Sequence, residues 1–325
     1  MPKALITGIT GQDGSYLTEL LLEEGYEVHG VLRSGSSLDR LQSLRDNPGI
    51  YNKQLFLHES ELSDLATLRR ILFEIEPDEI YHLAGQSHVG LSFEIPEATC
   101  ELTAMGTLRL LELVRGLPRP ARFFHASSSE IFGSPEASPQ NLDTPMAPVN
   151  PYGCAKAFAT QMVKIYRQSF GLFACNGILY NHESPRRGEN FVTKKICRAA
   201  AAIKLGRQRE LHLGDTSAQR DWGHAKDYVR GIWLALQHNT PDDFIFATGE
   251  THSVQEVVEI AFATVGLDWQ EYLKHDPALV RPAESRRLIG NPAKAEQVLG
   301  WTRQYHFPDL IREMTAAELQ TMKTD

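Results

Sequence analysis

A glycine-rich turn lies between the first apolar run of the chain and its first helical pattern, and few folds accept that arrangement. Lys3-Ala-Leu-Ile-Thr7 reads as a buried strand, Gly8-Ile-Thr-Gly11-Gln-Asp-Gly14 as the turn, and Gly14–Glu24 as the helix behind it. Such a turn lets backbone approach a pyrophosphate, and the helix N-terminus adds free N–H groups and a partial positive charge. Glycine triplets also occur as merely structural turns, but the strand–turn–helix context favours ligand binding. The alternation continues. Strands are expected at Glu27–Leu32, Gln54–His58, Glu79–Leu83, Arg122–Ala126 and Phe173–Leu179, with helices at Asp64–Glu74, Ala98–Arg115 and Tyr152–Ser169. This rhythm predicts an α/β fold, a Rossmann-like doubly wound parallel sheet with right-handed crossovers.

After residue 180 the character changes. Arg- and Gly-rich loops (Asn181–Asn190, Gly214–Gly223) flank a helix expected at Phe191–Leu205, and a strand at Phe244–Thr248 is expected to rejoin the sheet. The tail from Ser253 reads as short helices and the loop Arg281-Pro-Ala-Glu284. The expected division is a nucleotide-binding domain over residues 1–180, with 225–250 returning to it. A smaller C-terminal substrate-binding region takes 181–224 and 251–325.

The 325 residues suffice for one large domain or two, and the net charge of −8 speaks against a general nucleic-acid binder. The four cysteines (Cys100, Cys154, Cys175, Cys197) form no CxxC pair and no metal-ligand spacing, so no metal and four reduced thiols are expected. The chain runs directly into its first strand, without a charged leader and long apolar stretch. Cytoplasmic, with no membrane partner, is the expectation.

Gly8, Ile9, Thr10, Gly11, Gln12 and Asp13 are the expected pyrophosphate contacts. At the end of the second strand a carboxylate would suit the ribose hydroxyl of NAD, whereas an arginine suits the extra phosphate of NADP. Here stand Arg33, Ser34 and Ser36, with no acid until Asp39, so NADP is preferred over the alternative of a plain surface arginine. Glu61 and Leu62, after the third strand, are expected beside the adenine. Leu83, Ala84, Gly85, Gln86 and Ser87 are expected to line the path to the nicotinamide.

Tyr152-Gly-Cys-Ala-Lys156 places a phenol and an ammonium four residues apart, on one face of a helix started by Pro151. The ammonium is expected to lower the phenol's pKa, and with the positive nicotinamide ring also near, Tyr152 is expected to take a proton from a sugar hydroxyl as hydride leaves the same carbon. Two residues on an exposed helix face are the competing reading. The fifth strand ends in Ser127-Ser128-Ser129-Glu130. Ser128 is positioned to bond the oxygen on C4 as it changes between hydroxyl and ketone. Glu130 is positioned to take the C5 proton, acidic once C4 is a ketone, and help expel the C6 hydroxyl. A solvated loop carboxylate or helix cap is the alternative for Glu130.

The GxxGxxG spacing resembles the extended short-chain dehydrogenase/reductase superfamily. Thr7-Gly-Ile-Thr-Gly-Gln-Asp-Gly-Ser-Tyr16, Asn181-His-Glu-Ser-Pro-Arg-Arg-Gly188 and Arg220-Asp-Trp-Gly-His-Ala-Lys-Asp-Tyr-Val229 resemble the GDP-mannose 4,6-dehydratase family within it. The resemblance implies oxidation at C4, loss of water across C5 and C6, and return of the same hydride to C6. It also implies GDP-mannose or a related GDP-sugar as substrate and a homodimer or homotetramer. Carried over by position, Asn181, Val192, Lys195, Arg220, Arg281 and Glu284 are expected to contact the GDP-sugar, with Ser87, Ser128, Glu130 and Tyr152 on the sugar itself. His182 and Arg187 are expected on the nicotinamide and adenosine-phosphate sides. Departures are Ser128 where the family has threonine, Glu61 for an aspartate, Ala98 for a tyrosine, a less basic Arg33–Asp39 loop, and Ser285-Arg286-Arg287 in place of Val-Asp. The last leaves room for a heptose. A 4-keto sugar reductase or epimerase, and a non-catalytic NADP-sensing or scaffold protein, are the competing functions.

Overall fold

The computed structural model describes residues 1–279 and 288–324. Seven strands form the central sheet: β1 (Lys3–Thr7), β2 (Glu27–Leu32), β3 (Leu55–Glu59), β4 (Glu79–His82), β5 (Arg122–Ser128), β6 (Ala174–Leu179) and β7 (Asp243–Phe246). Their order is β3-β2-β1-β4-β5-β6-β7, and every pair is parallel. The chain winds outward from β1 in one direction and then from β4 in the other. A crevice therefore opens at the carboxyl ends of those two strands, where ligands bind in such sheets.

Side-chain alternation builds both faces. Ala4, Ile6, Tyr81 and Phe124 point into one core with Leu17 and Ile232. Leu5, Ile80 and Phe123 point into the other with Leu72, Leu111 and Val163. Successive residues of one strand thus supply opposite cores, as a pleat requires. Helices α1 (Gln12–Glu23), α2 (Leu65–Ile75), α3 (Gly106–Arg115), α4 (Pro151–Phe170), α5 (Val192–Lys204), α6 (Ala225–Gln237), α7 (Val254–Thr264) and α8 (Phe307–Thr324) carry the remaining layers. A separate apolar cluster joins Ile196 of α5, Trp222, Val258 and Phe262 of α7, and Ile311 and Met314 of α8.

The predicted helix Ala98–Arg115 is broken. Pro96–Cys100 is helical, Glu101–Met105 is a wide π-type turn, and α3 begins only at Gly106. Gly106 packs against Leu62, which a Cβ there would meet at 3.1 Å. The strand predicted to reach Thr248 stops at Phe246, because the Thr248 N–H turns away to donate to Asp221 at 2.8 Å. The tail expected as short helices ends in an 18-residue one, α8, whose Leu310, Ile311 and Met314 are buried at helical spacing.

His82, at the end of β4, is held between Thr7 Oγ1 (2.8 Å) and Thr107 Oγ1 (3.0 Å). Burial, with the charge of Lys156 nearby, pushes its pKa down from 6.5 to about 3. The unfolded chain takes up this proton below its ordinary pKa and the folded chain refuses it, so stability is full above pH 6.5 and falls as pH drops toward 3. Urea midpoints between pH 8 and 4 are expected to decline below about pH 6.5. In His82→Asn part of that slope disappears, and an unchanged slope would refute the assignment.

Candidate active site

The turn after β1 explains its glycines. Gly8 has φ +77°, and a Cβ there would lie 2.9 Å from the Ala84 nitrogen. A Cβ at Gly14 would lie 2.4 Å from the Gly8 carbonyl oxygen. Turn, helix and β4 are thus packed backbone to backbone, closer than any side chain allows. Gly11 begins α1 without a side-chain cap, so the N–H groups of the first turn face the crevice, as an anion site requires.

The loop after β6 is tied to this turn. Gln12 Nε2 donates to the His182 carbonyl at 3.1 Å, Ser184 Oγ donates to Gln12 Oε1 at 2.8 Å, and His182 Nε2 meets Asp13 Oδ2 at 2.9 Å. Burial opposes a charge on His182, yet Asp13 outweighs it and holds the imidazole pKa above its ordinary value. Against burial again, His182 holds Asp13 below its own. His182, expected beside the nicotinamide, has both ring nitrogens engaged by this chain, Nδ1 with the Tyr180 carbonyl at 2.7 Å, and its ring stacks on Tyr228.

Arg33 and Ser34 stand exposed past the end of β2, with Ser36 half-buried. Arg40, not singled out from the sequence, reaches back and donates to the Thr10 carbonyl (3.0 Å) and the Arg186 carbonyl (2.9 Å). The only sequence signal was an arginine in the loop that already held Arg33. Ile9 is buried against β2, where a Cβ at Gly30 would meet it at 2.2 Å. Glu61 is exposed and Leu62 buried. Leu83 and Ala84 bond back to Thr7 of β1. Gly85 lies beside Thr103 and Lys156, Gln86 donates to Thr99 Oγ1 (3.2 Å), and Ser87 is exposed.

Ser128, Glu130, Tyr152 and Lys156 converge. Ser128 closes β5, and its hydroxyl accepts the Glu130 N–H at 3.3 Å and acts on the Tyr152 phenol, drawing its pKa down. Tyr152 and Lys156 lie on α4, capped by Asn150, whose Nδ2 donates to Glu130 Oε2 at 2.6 Å. Lys156 Nζ donates to the Ala126 carbonyl at 2.6 Å and lies 5.9 Å from the Tyr152 ring centroid. The expected lowering of the phenol pKa is not what this arrangement produces. Burial pushes Tyr152 up to about 12, with Ser128 acting against the rise and Glu130 adding to it. Burial also pushes Lys156 down to about 8. Desolvation outweighs the lowering influence of Ser128 and of the Arg187 charge, so the phenol needs further positive charge beside it to release its proton.

Around this centre the second region supplies cations. The Arg187 guanidinium packs 3.4 Å from the Phe191 ring centroid and meets Glu183 at 3.1 Å. Its charge acts on both Tyr152 and Asp13. Asn181 pairs with Trp222 in a short parallel bridge. Val192, exposed, opens α5, where Lys195 donates to the His212 carbonyl at 3.0 Å. Arg220, half-buried, donates to the Gln219 carbonyl at 2.7 Å. Arg281 and Glu284 lie outside the described residues. The chain beyond them is anchored: Gln140 pairs through its backbone with Ile289 and Asn291 and accepts the Ile289 N–H on Oε1 at 2.9 Å. Buried Asp221 accepts from Thr248, Gly249 and Gly290. Among the described residues no group of three acidic, histidine or cysteine side chains could hold a metal, and no helix is long and apolar enough to cross a membrane.

The family model described as GDP-mannose 4,6 dehydratase matches residues 5–314. The chain belongs to the GDP-mannose 4,6-dehydratase family. It is 49% identical to GDP-mannose 4,6 dehydratase 2 of Arabidopsis thaliana, over 99% of this chain and 88% of that one. With GDP-mannose 4,6-dehydratase of Yersinia enterocolitica it shares 48% identity, over 99% and 95% of the two chains. Among solved structures, dTDP-glucose 4,6-dehydratase of Bacillus anthracis in complex with NAD gives a TM-score of 0.85 over 99% of this chain and 98% of that one. At 22% identity that likeness is one of fold.

The Asp13–His182 pair generates a test. Asp13→Asn removes the charge that holds the imidazole, and equilibrium urea unfolding is expected to show a loss of about 1–2 kcal/mol. Unchanged stability would mean the pair is incidental.

Proposed function

We propose that the chain is a GDP-mannose 4,6-dehydratase, converting GDP-D-mannose to GDP-4-keto-6-deoxy-D-mannose and water. The observation that carries this reading is the convergence of Glu130 with Ser128, Tyr152 and Lys156 at the crevice mouth. A reductase or epimerase needs no carboxylate there, and a scaffold needs none of the four. The uncapped start of α1 and the glycine cradle fit a dinucleotide, and Arg33 with Ser34 and Ser36, free of a neighbouring acid, fits the extra phosphate of NADP. NADP, when bound, accepts hydride from C4 and returns it at C6.

The protein's own groups move the protons. Tyr152, once added positive charge beside it has drawn off the phenol proton, takes the proton of the C4 hydroxyl as the phenolate, while Lys156 holds positive charge near its ring. Ser128 bonds the C4 oxygen as it becomes a ketone. Glu130 removes the now acidic C5 proton and delivers it to the C6 hydroxyl as that leaves as water, and the enolate formed when hydride returns to C6 takes a proton at C5, balanced by the one Tyr152 gained from the C4 hydroxyl. The cations Lys195 and Arg220 suit the two phosphates of a GDP-sugar.

The division into an NADP-binding domain (1–180 with 225–250) and a substrate-binding region (181–224 and 251–325) is supported by the separate apolar cluster of α5, α7 and α8. A cytoplasmic location fits four unpaired cysteines. A homodimer or homotetramer is supported by Phe93, Phe158 and Ile165, exposed on helices that pack side by side.

With NADP and GDP-mannose, mass spectrometry is expected to show a product lighter by one water. Glu130→Gln is expected to slow that loss by about a hundredfold or more and to stop C5 hydrogen exchange in deuterated water, with NADP affinity retained. Normal turnover in this variant would sink the assigned role. Light scattering is expected to give a mass of at least two chains, moved toward one by Phe93→Glu with Phe158→Glu; a monomeric parent would reject the assembly.

A further inference from the structure

Asn150 is 3% exposed and sits at the head of α4, one residue before Pro151. Its Oδ1 accepts the Gly153 N–H at 2.7 Å, and its Nδ2 donates to Glu130 Oε2 at 2.6 Å. The first contact decides the orientation of the amide, because only its oxygen can receive an N–H. The NH2 end then faces the carboxylate. The two segments are pressed together at this point, since a Cβ at Gly153 would lie 2.6 Å from the Glu130 carbonyl oxygen.

We infer that Asn150 is a positioning residue for Glu130, coupling the cap of the tyrosine helix to the orientation of the carboxylate. The inference rests on the dehydratase reading, in which Glu130 first takes a proton and then gives it away. A neutral amide suits that task. It holds one carboxylate oxygen in place, yet cannot ionise or exchange a proton itself. Besides Asn150, the described groups around Glu130 include the Ser128 hydroxyl, the Tyr152 phenol from α4, and the Lys156 and Arg187 cations that flank the phenol. None of these joins Glu130 to the helix cap. One side chain therefore ties the base to the same turn that presents the phenol.

Asn150→Asp and Asn150→Ser separate the two jobs, because aspartate and serine cap helices about as well as asparagine. The thermal midpoint of Asn150→Ser is therefore expected to stay close to that of the parent, and that of Asn150→Asp to fall only by the repulsion between the two carboxylates, a loss that disappears at low pH. Aspartate sets a second negative charge against Glu130, and serine withdraws the donor. The Glu130 carboxyl is titrated in the full-length protein by infrared difference against Glu130→Gln. It is expected to titrate higher by about one unit or more in Asn150→Asp and by less in Asn150→Ser. The acid limb of the kcat profile for GDP-mannose moves the same way, with KM unchanged. An unmoved carboxyl titration in both variants overturns the inference, as does kcat that follows the thermal midpoint alone. A shifted titration in a protein whose parent dehydrates nothing supports the contact and overturns the dehydratase reading instead.

Discussion

The Asp13–His182 pair joins parts of the chain far apart in sequence, and the site depends on that closure. Asp13 belongs to the first turn of α1 and His182 to the loop that leaves β6. Around them Gln12, Ser184 and the Tyr180 carbonyl complete the hydrogen bonds that a buried polar pair requires. The pair does more than hold the loop. It presents Arg187, five residues further on, where its charge reaches Tyr152. Through Arg40 and Arg186, which bridge the glycine turn, the loop and α1, the phosphate end and the acid–base end are fixed in one frame.

Within that frame the acid–base groups are deprived of water, and burial sets their character. Tyr152 holds its proton more tightly than a free phenol, and Lys156 holds its own less tightly than a free amine. The spacing of tyrosine and lysine predicts that they share a helix face, which they do, while within the protein alone burial raises the phenol pKa rather than lowering it. Helix geometry brings the two side chains to one face, while desolvation decides the outcome. Cationic charge gathered beside the phenol, from this chain and from a bound nicotinamide, is what brings it into a working range.

Much of the fold was legible because period-two and period-3.6 patterns are local. β1 and β2 were placed to the residue, and the remaining sheet strands lay within one or two positions at both ends. The misses share a cause. The break before Gly106 depends on Leu62, and the early end of β7 depends on Asp221, contacts between residues far apart along the chain. Ser128, Glu130, Tyr152 and Lys156 were legible because strand ends and helix faces place them. Asn150 and Arg40 were not, since asparagine before proline and arginine in a loop are ordinary, and only the fold shows what they reach.

Gln140 carries a consequence for how such a site is held. Its backbone and side chain fasten Ile289 and Asn291 to the segment between Glu130 and Tyr152, and Asp221 fastens Gly290 independently. The downstream flank of the 280–287 stretch is thereby moored twice, at points outside the proton-transfer groups. The 289–291 segment therefore keeps its place beside the Glu130–Tyr152 connection through contacts made by Gln140 and Asp221 rather than by the proton-transfer groups, so the mooring and the chemistry rest on different side chains.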